Sequence, residues 1–188
     1  MVTMDILNRL LGKKESDKKM HFGPNRVITE VRRALRDADG NCILDAAGNV
    51  MYSDKIERFE NHNVACNAGL DAAKDRLFNT ATTQTVADYI ALTLNTAAPS
   101  AASTTLASEI TQSGLTRSQA TYSVAACSTG ECILSKTFTA TAQALLIVKM
   151  GLFDASSAGD MYFEATIASV SLETNDQLTA SWNKITLS

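Results

Sequence analysis

The chain has 188 residues, of which 45% are hydrophobic, 6% aromatic and 20% charged, enough apolar material for one well-buried domain plus an arm, or two small domains; this excludes a chain disordered throughout. Two prolines, few aromatics and abundant Ala, Thr and Ser favour β-structure with small side chains over a large helical core. The net charge of −3 hides an asymmetry, since residues 1–36 hold nine Lys and Arg against four acids and the remainder eight against sixteen.

Residues 3–11 place Met4, Ile6, Leu7, Leu10 and Leu11 at helical spacing, an amphipathic stretch too short to be stable unless it packs on something. Gly12 to Met20 is charged and has no apolar period, and reads as a linker. Residues 1–20 are therefore expected to form an anchoring arm. A basic arm on an acidic body suits a protein partner or a solvated tail. Nucleic acid comes third, because no aromatics interleave with the basic residues.

A period-eight repeat follows: Asp37-Ala-Asp-Gly-Asn-Cys-Ile-Leu44, then Asp45-Ala-Ala-Gly-Asn-Val-Met-Tyr52. Each unit predicts a Gly-Asn turn followed by a short apolar piece. A calcium loop at Asp37 and Asp39 lacks the EF-hand glycine and glutamate positions. Asn61 or Asn63 is then expected to cap a helix through about Asn79, with Cys66, Leu70, Ala73 and Leu77 as its apolar stripe. The repeat and helix fill a segment of residues 21–82.

From residue 83 the pattern is that of short strands. Val86, Ile90, Leu92 and Leu94 share one parity, and Met161, Phe163, Ala165 and Ile167 share another that slips before Val170 and Leu172, predicting a bulge near Ala168 and Ser169. A second slip separates Leu178, Ala180 and Trp182 from Ile185 and Leu187. With turns at residues 154–160 and 173–176, residues 83–188 read as an antiparallel β-sandwich or jelly roll. The fold class is thus mainly β, with an N-terminal arm and one short α-helix.

Within this region Thr137-Phe-Thr-Ala-Thr141, Lys149-Met-Gly-Leu-Phe-Asp154 and Asp176-Gln-Leu-Thr-Ala-Ser-Trp182 follow in order. This set, running from about Tyr89 to Ser188 and including Glu109-Ile110, Gly114-Leu115 and Arg117, resembles the C-terminal β-domain of small virion structural proteins of tailed bacteriophages, prophages and related archaeal viruses. Relatives often have a glycine-rich turn where this chain has Leu92-Thr-Leu-Asn95. The resemblance implies a virion location after synthesis in a host cytoplasm, and no reaction.

The chemistry agrees. His21 and His62 are the only imidazoles, and no nucleophile elbow, P-loop, dinucleotide fingerprint or zincin motif is present. His62 and Cys66 are four apart, but a structural zinc site needs a second pair, for which only Cys127 and Cys132 are available at the edge of the usual spacing. Cys127 and Cys132 flank a Gly-containing turn and form a candidate disulfide in particles exposed to oxidant. No run approaches the length needed to span a bilayer, and no secretory signal opens the chain.

The expected function is non-enzymatic and without cofactor or metal. The chain reads as a virion structural protein, foremost a capsid decoration or cement protein docking on shell subunits, with a tail, neck or fibre component carrying a receptor- or glycan-binding sandwich as the alternative. Its expected partners are other virion proteins and copies of itself, with a trimer or another closed form as the default. Ile6, Leu7, Leu10 and Leu11 are the expected partner-binding residues.

Overall fold

The computed structural model describes residues 22–79, 81, 85–124, 127, 131–142 and 146–187. Val27, Ile28, Thr29 and Val31 are all buried along the first strand, β1 (Phe22–Ala34). It is flanked on one side by β2 (Tyr52–Asn61) and on the other by the final strand, β10 (Gln177–Leu187). Beyond β10 lie β7 (Glu131–Thr139) and β6 (Thr121–Ser123), so the first sheet has the order β2-β1-β10-β7-β6.

The second sheet, in the order β3-β9-β8-β4-β5, is built from β3 (Asn63–Ala65), β9 (Met161–Ser171), β8 (Leu146–Phe153), β4 (Tyr89–Thr93) and β5 (Ser118–Gln119). Every pairing in both sheets is antiparallel. Strands from before and after residue 83 share both sheets.

The chain passes from one sheet to the other four times, from β2 to β3, β5 to β6, β7 to β8 and β9 to β10, and the first two crossings are single residues, His62 and Ala120. These two short crossings join corresponding edges of the two sheets, making corners of the kind that close sandwiches. The edge strand β2 carries Arg58, which donates to Glu30 at 2.8 Å and to Glu60 at 3.2 Å, and Glu60 also accepts from Arg26. Such a charged edge opposes strand addition by another chain.

The main core lies between the sheets, where Val27, Val31, Phe138, Leu178 and Trp182 meet Ile90, Leu92, Met150, Leu152 and Phe163. The outer face of the second sheet is covered as well: Cys66, Ala91, Leu106, Phe153 and Met161 form a satellite cluster beneath the connection from β4 to β5. That connection is tied down by Ile110 N–H donating to Leu92 O at 2.8 Å and by Arg117. The Arg117 guanidinium donates to both carboxylate oxygens of Glu109, to the Ala155 and Ala158 carbonyls, and stacks 3.6 Å from the Phe153 ring centroid. Burial on both faces explains why Ile90, Ala91 and Leu92 are all inaccessible although alternation predicts a half-buried strand. Val86 and Leu94, expected on that strand, are 58% and 40% exposed and lie outside it.

Both parity slips are present as register shifts. Ile147 pairs with Val170 but Lys149 with Thr166, placing the extra residues of β9 around Ile167–Ser169. Trp182 pairs with Leu134 but Ile185 with Cys132, so β10 also bulges.

The octads form two turns in which Asp37 Oδ1 accepts from the Asp39 and Asn41 N–H groups, and Asp45 Oδ1 from those of Ala47 and Asn49. Gly40 and Gly48 both have φ of +85°, a conformation that favours glycine. Between the turns, Ile43 N–H donates to Leu35 O, Met51 N–H to Ile43 O and Leu35 N–H to Met51 O, at 2.8–2.9 Å. Three residues eight apart thus close a ring of hydrogen bonds.

The helix, α1 (Asn67–Phe78), starts later than the Asn61 or Asn63 cap predicts; Cys66 occupies the cap position without a side-chain hydrogen bond. Its buried face is Gly69 and Ala72, while Leu70 and Leu77 of the expected stripe are 44% and 50% exposed. The cause is close backbone packing. A Cβ on Gly69 would sit 2.5 Å from the Tyr162 carbonyl oxygen of β9, so only a small-residue face fits against that strand.

Candidate interaction surfaces

Two ionic networks lock the scaffold. Asp176, 2% exposed, accepts from the buried Ala34 N–H at 2.9 Å, from Arg33 Nη1 at 2.9 Å and from the Glu173 N–H at 3.1 Å, tying the turn before β10 to the end of β1. Arg33 also grips Glu57 on β2 through two N–H groups, which lowers the Glu57 pKa. On the covered face of the second sheet, Lys149 and Glu164 form a buried ion pair at 2.5 Å, and Glu164 also accepts from the Ser100 N–H. The pair is a feature the sequence reading missed; its signal was one opposite charge in each of two otherwise apolar strands.

Cys66 adjoins this site. It is fully buried, and burial together with the Glu164 charge pushes its thiol up to about 11. His62 is exposed at the sheet crossing. Among the described residues no three His, Cys, Asp or Glu side chains gather to hold a metal ion. No helix among them is long and apolar enough to cross a membrane.

Cys127 and Cys132 are both free thiols, as are Cys42 and Cys66. The β6–β7 hairpin has Ser123 opposite Ile133, Cys132 lies on β7, and Cys127 sits in the connection, its N–H donating to Val124 O. Burial and the nearby Cys127 raise the Cys132 thiol pKa. The arm residues Ile6, Leu7, Leu10 and Leu11 lie outside the described residues.

An apolar groove of about 650 Å³ lies at one end of the sandwich. Leu134 and Ile185 of the first sheet and Leu152 and Phe163 of the second line it, and Ala73 and Leu77 of α1 form a further wall. Its rim carries Val86 and Tyr122, 58% and 64% exposed, beside a polar clasp in which Gln119 Nε2 donates to Asp88 at 2.7 Å. Leu77 and Val86 are residues that sequence periodicity assigns to the interior; their exposure at one concave site is the signal that separates this surface from the core. A second apolar exposure lies on the octads, where Ile43, Leu44 and Met51 are 38–54% exposed.

Residues 62–188, which include α1 and every residue lining the groove, match the family described as Podophage GP4 fiber I protein gp80. No curated protein and no solved structure matches the chain. The chain belongs to the Podophage GP4 fiber I protein gp80 family and is a structural protein of the phage virion.

Proposed function

We propose that this protein is a non-enzymatic subunit of a phage tail fibre, whose β-sandwich is a rigid building block docked on other virion proteins. The carrying observation is the family match over residues 62–188. It favours the tail, neck or fibre alternative over the capsid decoration role that the compact sandwich and arm lead one to expect.

Within this reading residues 1–20 act as an arm that joins the subunit to its neighbours through Ile6, Leu7, Leu10 and Leu11, and residues 22–188 carry the rest of the contacts. The single Trp182 is fully buried in the sandwich core and offers no stacking platform to a glycan, and on the family match we assign the chain an architectural task. Immunogold labelling of purified particles tests the assignment. Label on fibres supports it, and label spread over the capsid surface overturns it in favour of decoration.

A further inference from the structure

We infer that the apolar groove at the end of the sandwich is the docking site of residues 4–11 of the same chain in the free protein. The proposal concerns the protein before assembly and stands independently of the fibre reading.

The groove shows apolar side chains to solvent where a soluble surface would hide them: Leu77, Val86 and Tyr122 are each at least half exposed around it. The N-terminal segment has the complementary deficiency. Met4, Leu7 and Leu11 stand at i, i+3 and i+7, with Ile6 and Leu10 beside them, the anchor spacing of a helix lying in a groove. Alone it is too short to hold a helix.

The topology brings the two together. β1 begins beside the end of β10, with Pro24 opposite Ile185, and Ile185 is in turn opposite Cys132 of β7. Ile185 and Cys132 both line the groove, so the chain enters the fold about two strand spacings, roughly 10 Å, from it. Residues 12–21 span up to about 33 Å when extended, ample to turn back. They carry Lys13, Lys14, Lys18 and Lys19 against a body with an acidic excess, which favours a path along its own surface. A tether of this length holds the segment at a millimolar-range effective concentration, far above that of a second copy in dilute solution.

Cys132 supplies the probe. In the full-length chain carrying Leu10→Cys and Cys127→Ser, a short bismaleimide should join position 10 to Cys132 within one chain. Cys42 is an internal control for random reach, since it bridges to Arg36 beyond the opposite end of β1. Capture at Cys132 is expected to exceed capture at Cys42 by about tenfold or more, and adding Val86→Asp, at an exposed position that does not threaten the fold, should remove most of that excess. A mixture of unlabelled and nitrogen-15-labelled protein identifies the donor. Equal capture at the two cysteines, indifference to Val86→Asp, or products that chiefly join light to heavy chains would each overturn the proposal, the last by placing a neighbour's segment in the groove.

Discussion

Replacing Asp176 by Ala tests the reading that one buried carboxylate fastens the turn between β9 and β10 to β1. The substitution strips the buried Ala34 N–H of its acceptor, a loss of about 1–3 kcal/mol. It also removes the charge-assisted bond to Arg33; because the Arg33 side chain is 35% exposed and keeps Glu57, only about 1 kcal/mol is assigned to that part. Together these give a destabilisation of about 3 kcal/mol, the lower end of what breaking a buried pair costs, equivalent to a fall in Tm of about 6–12 °C for a chain of this size. Asp176→Asn can keep the bond from Ala34 while losing the charge, and should cost about half as much. Urea unfolding of the two variants measures both, and Lys74→Ala, which breaks only exposed pairs, is the control expected within about 0.5 kcal/mol of the parent. A loss below about 1 kcal/mol for Asp176→Ala, with an unchanged urea slope, would refute the reasoning by showing that water or a neighbour replaces the carboxylate.

Glu57, whose pKa lies below its ordinary 4.5 chiefly because Arg33 hydrogen-bonds it, contributes stability that is present above that value and lost as pH falls through the lowered one; Glu57→Gln should therefore flatten the acid limb of the stability curve measured by denaturation. The Cys66 thiol, raised from 9.0 to about 11, carries about a hundredfold less thiolate at pH 8 than an ordinary thiol, so maleimide labelling of the native protein should leave it unmodified while the half-buried Cys42 reacts. Oxidation of purified particles is expected to join Cys127 to Cys132, as read by non-reducing peptide mapping; two free thiols after oxidation would remove that bridge. Deleting residues 1–20 should leave a folded sandwich by circular dichroism yet prevent incorporation into particles, as assayed by binding to particles that lack the protein.

The C-terminal strands were legible because they obey period two and because their exceptions are themselves informative: the slips before Val170 and before Ile185 became bulges. The octads were legible because Asp, Gly and Asn impose local turn chemistry that needs no distant partner. Strand β1 was hidden by Pro24 and by Arg32 and Arg33, charges that the fold satisfies through Tyr52, Glu57 and Asp176, and β2 by a charge density typical of a solvated segment. The helix was legible in kind but not in orientation. Its larger apolar residues were assigned to the interior, whereas contact with the β9 backbone admits only Gly69 and Ala72. The groove was invisible for the same reason, since apolar residues spent on a partner carry the same periodicity as those spent on a core.

The hydrogen-bond ring through Leu35, Ile43 and Met51 makes the octad pair a closed set. In a solenoid each added repeat finds a free rung on its predecessor; here the third position returns its carbonyl to the first, so lengthening the array by one more octad would have to sever an existing bond. Variation is thereby steered away from repeat number and toward the two hairpin tips, where Ala38, Asp39, Ala46 and Ala47 are exposed and where a guest peptide can be presented on two neighbouring knuckles without disturbing the sheets beneath.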